Sequence, residues 1–136
     1  MFYLLITIVG FLVSPGSCAA PEQTAVRADH ESPFACDLQA LSAKERKRHF
    51  EEVGPMLRRL RKDVRELPDG YEFDFPSDPK TFALLSEWVE KERRCCPFFD
   101  IDLHVHPEGG PLSLRLTGRK GTKEFIKVDG GDWIRR

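Results

Sequence analysis

Two stretches of alternating apolar and polar residues, each interrupted by a turn, constrain the fold of this chain most strongly. Residues 64–75 are centred on Pro-Asp-Gly at 68–70, where proline presets φ, aspartate bonds its own backbone and glycine accepts a positive φ. Residues 101–117 alternate in the same way around a segment rich in proline and glycine at 107–111. Each stretch predicts an antiparallel β-hairpin with one apolar face.

A first helix is expected before the first hairpin. Ser42 and Glu45 have the spacing of a capping box, in which the serine hydroxyl and the glutamate carboxylate each accept a backbone N–H of the first turn. Gly54 and Pro55 are expected to bend the helix or divide it into two, because proline lacks the N–H donor. Its buried face is expected to hold the apolar residues at three- and four-residue spacing, Phe50, Val53, Leu57 and Leu60.

A second helix is expected from Pro79 to Glu92, and Pro97 prevents its continuation because it disfavours helical geometry at the preceding residue. The adjacent Cys95 and Cys96 therefore lie at the exit of this helix.

A short third helix, expected from Thr122, completes the order α-ββ-α-ββ-α. Short connections favour antiparallel neighbours. The sequence therefore predicts an α+β fold with a single four-stranded antiparallel sheet, built from two hairpins, and helices packed on one face.

The first 20 residues are interpreted as a signal peptide. The apolar run at 2–13 is shorter than the roughly 20 residues that a membrane-spanning helix needs, and small residues precede a cleavage site after Ala20. An exported protein, periplasmic or secreted, is therefore expected. The alternatives are an uncleaved leader that anchors the chain and a lipid anchor at Cys18, which Gly16 and Ser17 precede.

The remaining chain is expected to contain a flexible connector at 21–33, one α+β domain at 34–128 and a loose C-terminal tail at 129–136. The 21 basic and 22 acidic residues nearly cancel, which argues against a nucleic-acid partner. A metal ion or a protein is the expected partner. Contact with a membrane is expected only through a lipid-modified Cys18 or an uncleaved leader.

One set of residues is predicted to carry chemistry: Cys36, His49, Glu92, Cys95 and Cys96. A pair of thiolates favours soft or borderline cations such as Hg(II), Cu(I) or Zn(II). Cys36, His49, Cys95 and Cys96 are the predicted metal ligands, although adjacent cysteines are poorly spaced to reach one tetrahedral ion. Glu92 is a possible supporting group; its alternative role is a salt bridge to an arginine of the first helix.

Three functions remain open from the residues. The first is binding of a soft metal ion, or reversible thiol oxidation, through the vicinal cysteines; the second is a structural or interaction domain with a disulfide staple from Cys36 to Cys95 or Cys96. The third is a thiol enzyme with a nucleophile at Cys95 or Cys96, and no catalytic or cofactor-binding residue is assigned. Loss or lipidation of Cys18 leaves three of the four cysteines, so one thiol would lack a disulfide partner.

Residues 92–99, Glu-Arg-Arg-Cys-Cys-Pro-Phe-Phe, together with 34–37, 67–71 and 116–118, resemble a family of small bacterial domains that carry an E-R-x-C-C-P-F segment. The resemblance covers about residues 34–127. It implies a bacterial source and indicates that the double-cysteine segment is the part to test, but it implies no particular activity.

Overall fold

The computed structural model, which describes residues 31–135, contains both predicted hairpins in one antiparallel sheet. The strands are β1 (Asp63–Glu66), β2 (Tyr71–Phe75), β3 (Phe99–Val105) and β4 (Leu112–Gly118). Strand β1 pairs with β2 and β3 pairs with β4, and the contact between β2 and β4 joins the hairpins in the order β1-β2-β4-β3. The predicted α+β fold with a four-stranded antiparallel sheet is confirmed.

The alternating pattern gives the sheet one apolar and one polar face. Phe73 of β2 is directly opposite Leu114 of β4, and both side chains are fully buried beneath the helices. On the other face Glu72 is buried between Arg65 and Arg115, both of which contact its carboxylate. The paired charges satisfy Glu72 without a helical cover.

Gly70 is required in the first turn for a reason other than the expected positive φ. Among the described residues, the glycines with positive φ are Gly109 and Gly121. A Cβ at Gly70 would lie 1.9 Å from the Leu116 carbonyl oxygen. The turn therefore needs glycine because the backbone of β4 approaches closely.

The helices cover the apolar face of the sheet. A capping box formed by Ser42 and Glu45 begins α1, as predicted. Among residues 31–135, no helix is both long enough and apolar enough to span a membrane. The helices are α1 (Ala43–Lys47), α2 (Gly54–Leu60), α3 (Pro79–Cys95), α4 (Thr122–Val128) and α5 (Gly131–Ile134), and the π-helical segment Arg48–Val53 joins α1 to α2.

The π-helical segment changes which side chains of the first helical region face the core. A bend or break was expected at Gly54 and Pro55, but the irregular turn lies just before them, at Arg48–Val53. The backbone there forms a wider, π-helical turn, and it is followed by the proline, which has no N–H to donate. His49 is consequently buried with 2% of its surface exposed, whereas Phe50 is 41% exposed. The prediction that Phe50 lies on the buried face is therefore wrong.

The C-terminal residues also differ from expectation. The segment 129–136 was expected to be a loose tail, but Gly131–Ile134 forms α5. Trp133 packs against Trp88 and Phe73, with ring centroids 5.0 and 5.7 Å apart. The Asp-Gly-Gly-Asp segment at 129–132 indicated a loose end, but Trp133, which follows it, packs against the core.

The predicted signal peptide, Cys18 and most of the predicted connector lie outside the described residues. The described chain begins within the connector, at Glu31, which pairs with Arg119 at 2.7 Å.

The capping box makes the stability of this domain depend on pH. Hydrogen bonds from the backbone and hydroxyl of Ser42, followed by Arg94, lower the pKa of Glu45 from 4.5 to about 2. The ionised carboxylate therefore stabilises the fold above pH 4.5, and this contribution is lost as the pH falls through about 2.

We expect Glu45→Gln to flatten the decline in the free energy of unfolding between pH 4.5 and about 2. Chemical denaturation at several pH values measures this decline. Glu51→Gln, at an exposed position of the π-helical segment, is the control; equal profiles for wild type and Glu45→Gln would contradict the assignment.

Candidate functional site

Three separate segments of the chain bring the five predicted residues into one cluster. Cys36 precedes the 3-10 turn Leu38–Ala40, and His49 lies in the π-helical segment. Glu92 lies on α3, Cys95 ends this helix and Cys96 is its C-cap. The cluster is at the end of the sheet where α3 turns into β3.

Cys36 and Cys96 form a disulfide across 60 residues of sequence, with their Cα atoms 4.8 Å apart. Cys96 is fully buried and Cys36 is partly exposed. Among the described cysteines, Cys95 is the one that remains a free thiol.

The segment that carries Cys36 is attached to α3 by more than the disulfide. The Asp37 N–H donates to the Cys95 carbonyl oxygen at 2.6 Å, and the Arg94 guanidinium donates to the Ala40 carbonyl oxygen at 2.6 Å. Phe34 packs edge-on against Phe98 with centroids 5.3 Å apart. These contacts place Cys36 independently of its sulfur bond.

Cys95 is a buried thiol between a disulfide and a carboxylate. Its Sγ lies 3.8 Å from the Cys96 Sγ and 3.8 Å from the Glu92 Oε2, and the thiol donates to the Glu92 carbonyl oxygen at 3.6 Å. Burial, followed by the negative charge of Glu92, raises the pKa of the Cys95 thiol from 9.0 to about 12. The opposing effect of Arg94 is smaller, since its guanidinium is engaged by Glu45 and Glu90.

Glu92 is paired with His49 and not with an arginine of the first helical region. The two side chains share a hydrogen bond of 2.8 Å between His49 Nε2 and Glu92 Oε2, and both are buried. Trp88 stacks on the imidazole with an interplanar angle of 18°. The pair thus satisfies a carboxylate that the apolar stripe of α3 directs inward.

The ligand atoms are close enough to meet at a metal ion. The sulfurs of Cys36, Cys95 and Cys96 lie within 4.8 Å of one another, as do the ligand atoms of His49, Glu92 and Cys95. Two thiolates on one tetrahedral ion are separated by about 3.8 Å when each metal–sulfur bond is about 2.3 Å. The 3.8 Å between Cys95 Sγ and Cys96 Sγ matches this separation, so adjacency in sequence does not prevent the two from sharing an ion.

The hydrogen bonds oppose the use of Cys95 as an activated nucleophile in the disulfide form. Among the described contacts, His49 bonds to Glu92 through Nε2, and its Nδ1 is buried without a hydrogen-bond partner. Neither nitrogen accepts the thiol proton. With a pKa of about 12, Cys95 is almost entirely protonated at neutral pH.

Comparison with known proteins gave no match, whether to a protein-family model, to a curated protein or to a solved structure. The functional proposal is therefore based on the geometry of the cluster.

The contribution of Glu92 to the thiol pKa can be tested in the oxidised protein on a Cys18→Ser background. We expect Glu92→Gln to lower the pKa of Cys95 while leaving it above 9.0, because burial is the larger cause of the shift. Alkylation of Cys95, followed by peptide mass mapping across a pH series, should therefore be faster in this variant. Glu108→Gln, at an exposed position of the turn between β3 and β4, is the control; an unchanged rate in Glu92→Gln would contradict the electrostatic role.

Proposed function

We propose that the domain binds a soft metal ion through Cys36, Cys95 and Cys96, and that oxidation of the Cys36–Cys96 pair to the disulfide blocks binding. The observation that carries this proposal is the convergence of three sulfurs within 4.8 Å of one another. Sulfur ligands select cations such as Hg(II) and Cu(I) over oxygen-seeking cations such as Mg(II).

Binding requires prior reduction of the disulfide. A dithiol reductant supplies two electrons and two protons, which convert the bond into two thiols, and the reductant itself becomes a disulfide. The hydrogen bond from Asp37 to Cys95 and the packing of Phe34 favour retention of Cys36 beside the other sulfurs after reduction.

Metal binding must then displace thiol protons. Thiolates are the ligand form of cysteine, so uptake of the ion releases protons and is stronger at higher pH. Glu92 is in contact with the Cys95 thiol and hydrogen-bonded to His49, so this pair offers the nearest route for the Cys95 proton. His49 is a positioning group for Glu92 in this arrangement.

The metal proposal predicts a defined pH dependence. We expect reduced protein on a Cys18→Ser background to bind Hg(II) at one equivalent, with an affinity that rises with pH below the thiol pKa. Cys95→Ser should lower the slope of log affinity against pH by about one, because one proton fewer is displaced. Competition titration against a small dithiol, carried out anaerobically at several pH values, measures both quantities.

The serine variants and the oxidised protein provide the controls. Loss of an outer-shell partner weakens metal binding by roughly 10- to 100-fold, so loss of a sulfur ligand should weaken it by more than about 100-fold. Ser86→Ala, on α3 and outside the cluster, should have no effect. An affinity no greater than that of a free monothiol, or one unaffected by Cys36→Ser, Cys95→Ser and Cys96→Ser, would overturn the proposal.

A structural staple is the second candidate function, because the disulfide joins the N-terminal segment to the end of α3. Closing a loop of 60 residues stabilises a fold by about 4 kcal/mol in the chain-entropy model. A disulfide that a dithiol cannot reduce without unfolding the domain would favour the staple over the metal site.

We also propose that the protein is exported and that its disulfide forms in an oxidising compartment. The metal-binding form there is the dithiol that exists before the bond closes or after a dithiol reductant reopens it. The apolar leader of the sequence and the Cys36–Cys96 bond support this localisation. A lipid anchor at Cys18 is the alternative form of the exported protein.

Processing of the leader can be read from the mature N-terminus. We expect the full chain, expressed in a bacterial host and fractionated, to begin at Pro21 in the periplasm or medium by mass spectrometry. A lipidated N-terminus at Cys18 in the membrane fraction would identify the anchored form. Ile8→Arg should block export, since a charge interrupts the apolar run; a wild-type chain retained in the cytoplasm with its leader intact and Cys36 reduced would exclude export.

A further inference from the structure

A cavity of about 170 Å³ adjoins the cluster, and Cys36, His49 and Glu92 form part of its wall. Cys36 is the single cysteine among its described lining residues, so the cavity reaches the site from the side of this partly exposed residue. It lies between the π-helical segment, α3 and the C-terminal helices. Any group carried by an ion at Cys36 would therefore have this cavity as its nearest apolar space.

The rest of the wall is largely aromatic. Phe50, Trp88, Phe99, Phe125 and Trp133 contribute rings to it. An apolar cavity of roughly 150 Å³ accommodates benzene. A volume of about 170 Å³ is therefore close to what one six-membered ring needs, and a fused second ring would extend through the open side of the cavity into solvent.

The wall of the cavity carries more carboxylates than guanidinium groups. Glu92, Asp129 and Asp132 line it together with Arg58, and of these carboxylates Glu92 is hydrogen-bonded to His49 and Asp132 lies 3.4 Å from Arg135. The imidazole of His49 also borders the cavity, and its Nδ1 is buried without a hydrogen-bond partner among the described residues. A soft cation with an apolar substituent matches both the charge and the lining.

We infer that the ligand of this site is an organometallic cation, a mercury(II) centre that carries one small aryl or alkyl group, with the metal on Cys36 and the organic group in the cavity. This inference rests on the proposed soft-metal function and names its substrate class. In the binding step the Cys36 S–H bond and the mercury–X bond break, an S–Hg bond forms, and X leaves with the proton. The mercury–carbon bond and all oxidation states are unchanged.

A series of mercurials of increasing size tests the fit. Reduced protein on a Cys18→Ser background is titrated with methylmercury, phenylmercury, 1-naphthylmercury and Hg(II), each in competition with 2-mercaptoethanol so that intrinsic mercury–sulfur affinity cancels. We expect phenylmercury to bind about tenfold more tightly than methylmercury, because the ring leaves water for an apolar wall. 1-Naphthylmercury should bind more weakly than phenylmercury. Quenching of the fluorescence of Trp88 and Trp133, both in the wall, gives the readout.

Two exposed phenylalanines provide matched variants. Phe50 lines the cavity and is 41% exposed, whereas Phe82 is 45% exposed and lies outside it. We expect Phe50→Ala to weaken phenylmercury binding by about threefold or more with Hg(II) binding unchanged, since it removes apolar contact from the ring. Phe82→Ala should change neither.

The outcomes separate this inference from the proposed function. Equal relative affinities for methylmercury and phenylmercury would overturn the assignment of the cavity, and so would tighter binding of 1-naphthylmercury than of phenylmercury. In either case, binding of Hg(II) would still support the metal site. Equal effects of Phe50→Ala and Phe82→Ala would also overturn it. If the protein cannot take any mercurial, Hg(II) included, from 2-mercaptoethanol, both the proposed metal site and the assignment of the cavity are overturned. The size series uses unaltered cavity residues, so it decides the question even if a phenylalanine variant does not fold.

Discussion

The hydrogen bond between Glu92 and His49 is the interaction on which the cluster depends. The helical periodicity of α3 directs Glu92 to the same side as Trp88 and Cys95, where an unpaired carboxylate would destabilise the fold. His49 reaches it because the π-helical segment turns the imidazole inward, and Trp88 covers the ring. One arrangement therefore contains the wider helical turn, the hydrogen-bonded carboxylate and the neighbouring thiol.

The second constraint is the attachment of the N-terminal segment to the end of α3. The disulfide is one link, but backbone hydrogen bonding from Asp37, the Arg94 contact with Ala40 and the packing of Phe34 are separate links that do not involve sulfur. Cys36 is therefore held near α3 by contacts other than its own sulfur bond. A cluster held by the disulfide alone would disperse on reduction, whereas none of these contacts requires the bond between the sulfurs. The same links make a purely structural role for the disulfide less necessary.

The sequence predicted most of the fold because its strongest signals are local. Period-two alternation identified the strands, and the Ser42–Glu45 spacing located the start of the first helix. Features that depend on distant neighbours were not accessible. No local pattern marked the π-helical segment or the burial of His49 against Glu92 and Trp88, and the need for Gly70 comes from the backbone of β4. The choice of Cys96 over Cys95 as the partner of Cys36 depends on the direction of each side chain at the helix end, which adjacency in sequence does not decide. The cavity was missed because its wall is assembled from the N-terminal segment and seven helical or strand segments, including the unexpected α5.

The raised pKa of Cys95 determines which reagents the site can accept. Removing a proton at pH 7 from a thiol whose pKa is about 12 requires about 7 kcal/mol, since each pKa unit corresponds to about 1.4 kcal/mol. The two largest causes of this shift are burial and Glu92, and neither is a bond to the neighbouring disulfide. An electrophile of ordinary reactivity meets very little thiolate and reacts slowly. A soft cation differs because the free energy of its bonds to sulfur offsets deprotonation directly. The same burial that suppresses nucleophilic chemistry therefore favours ligands with the strongest affinity for sulfur.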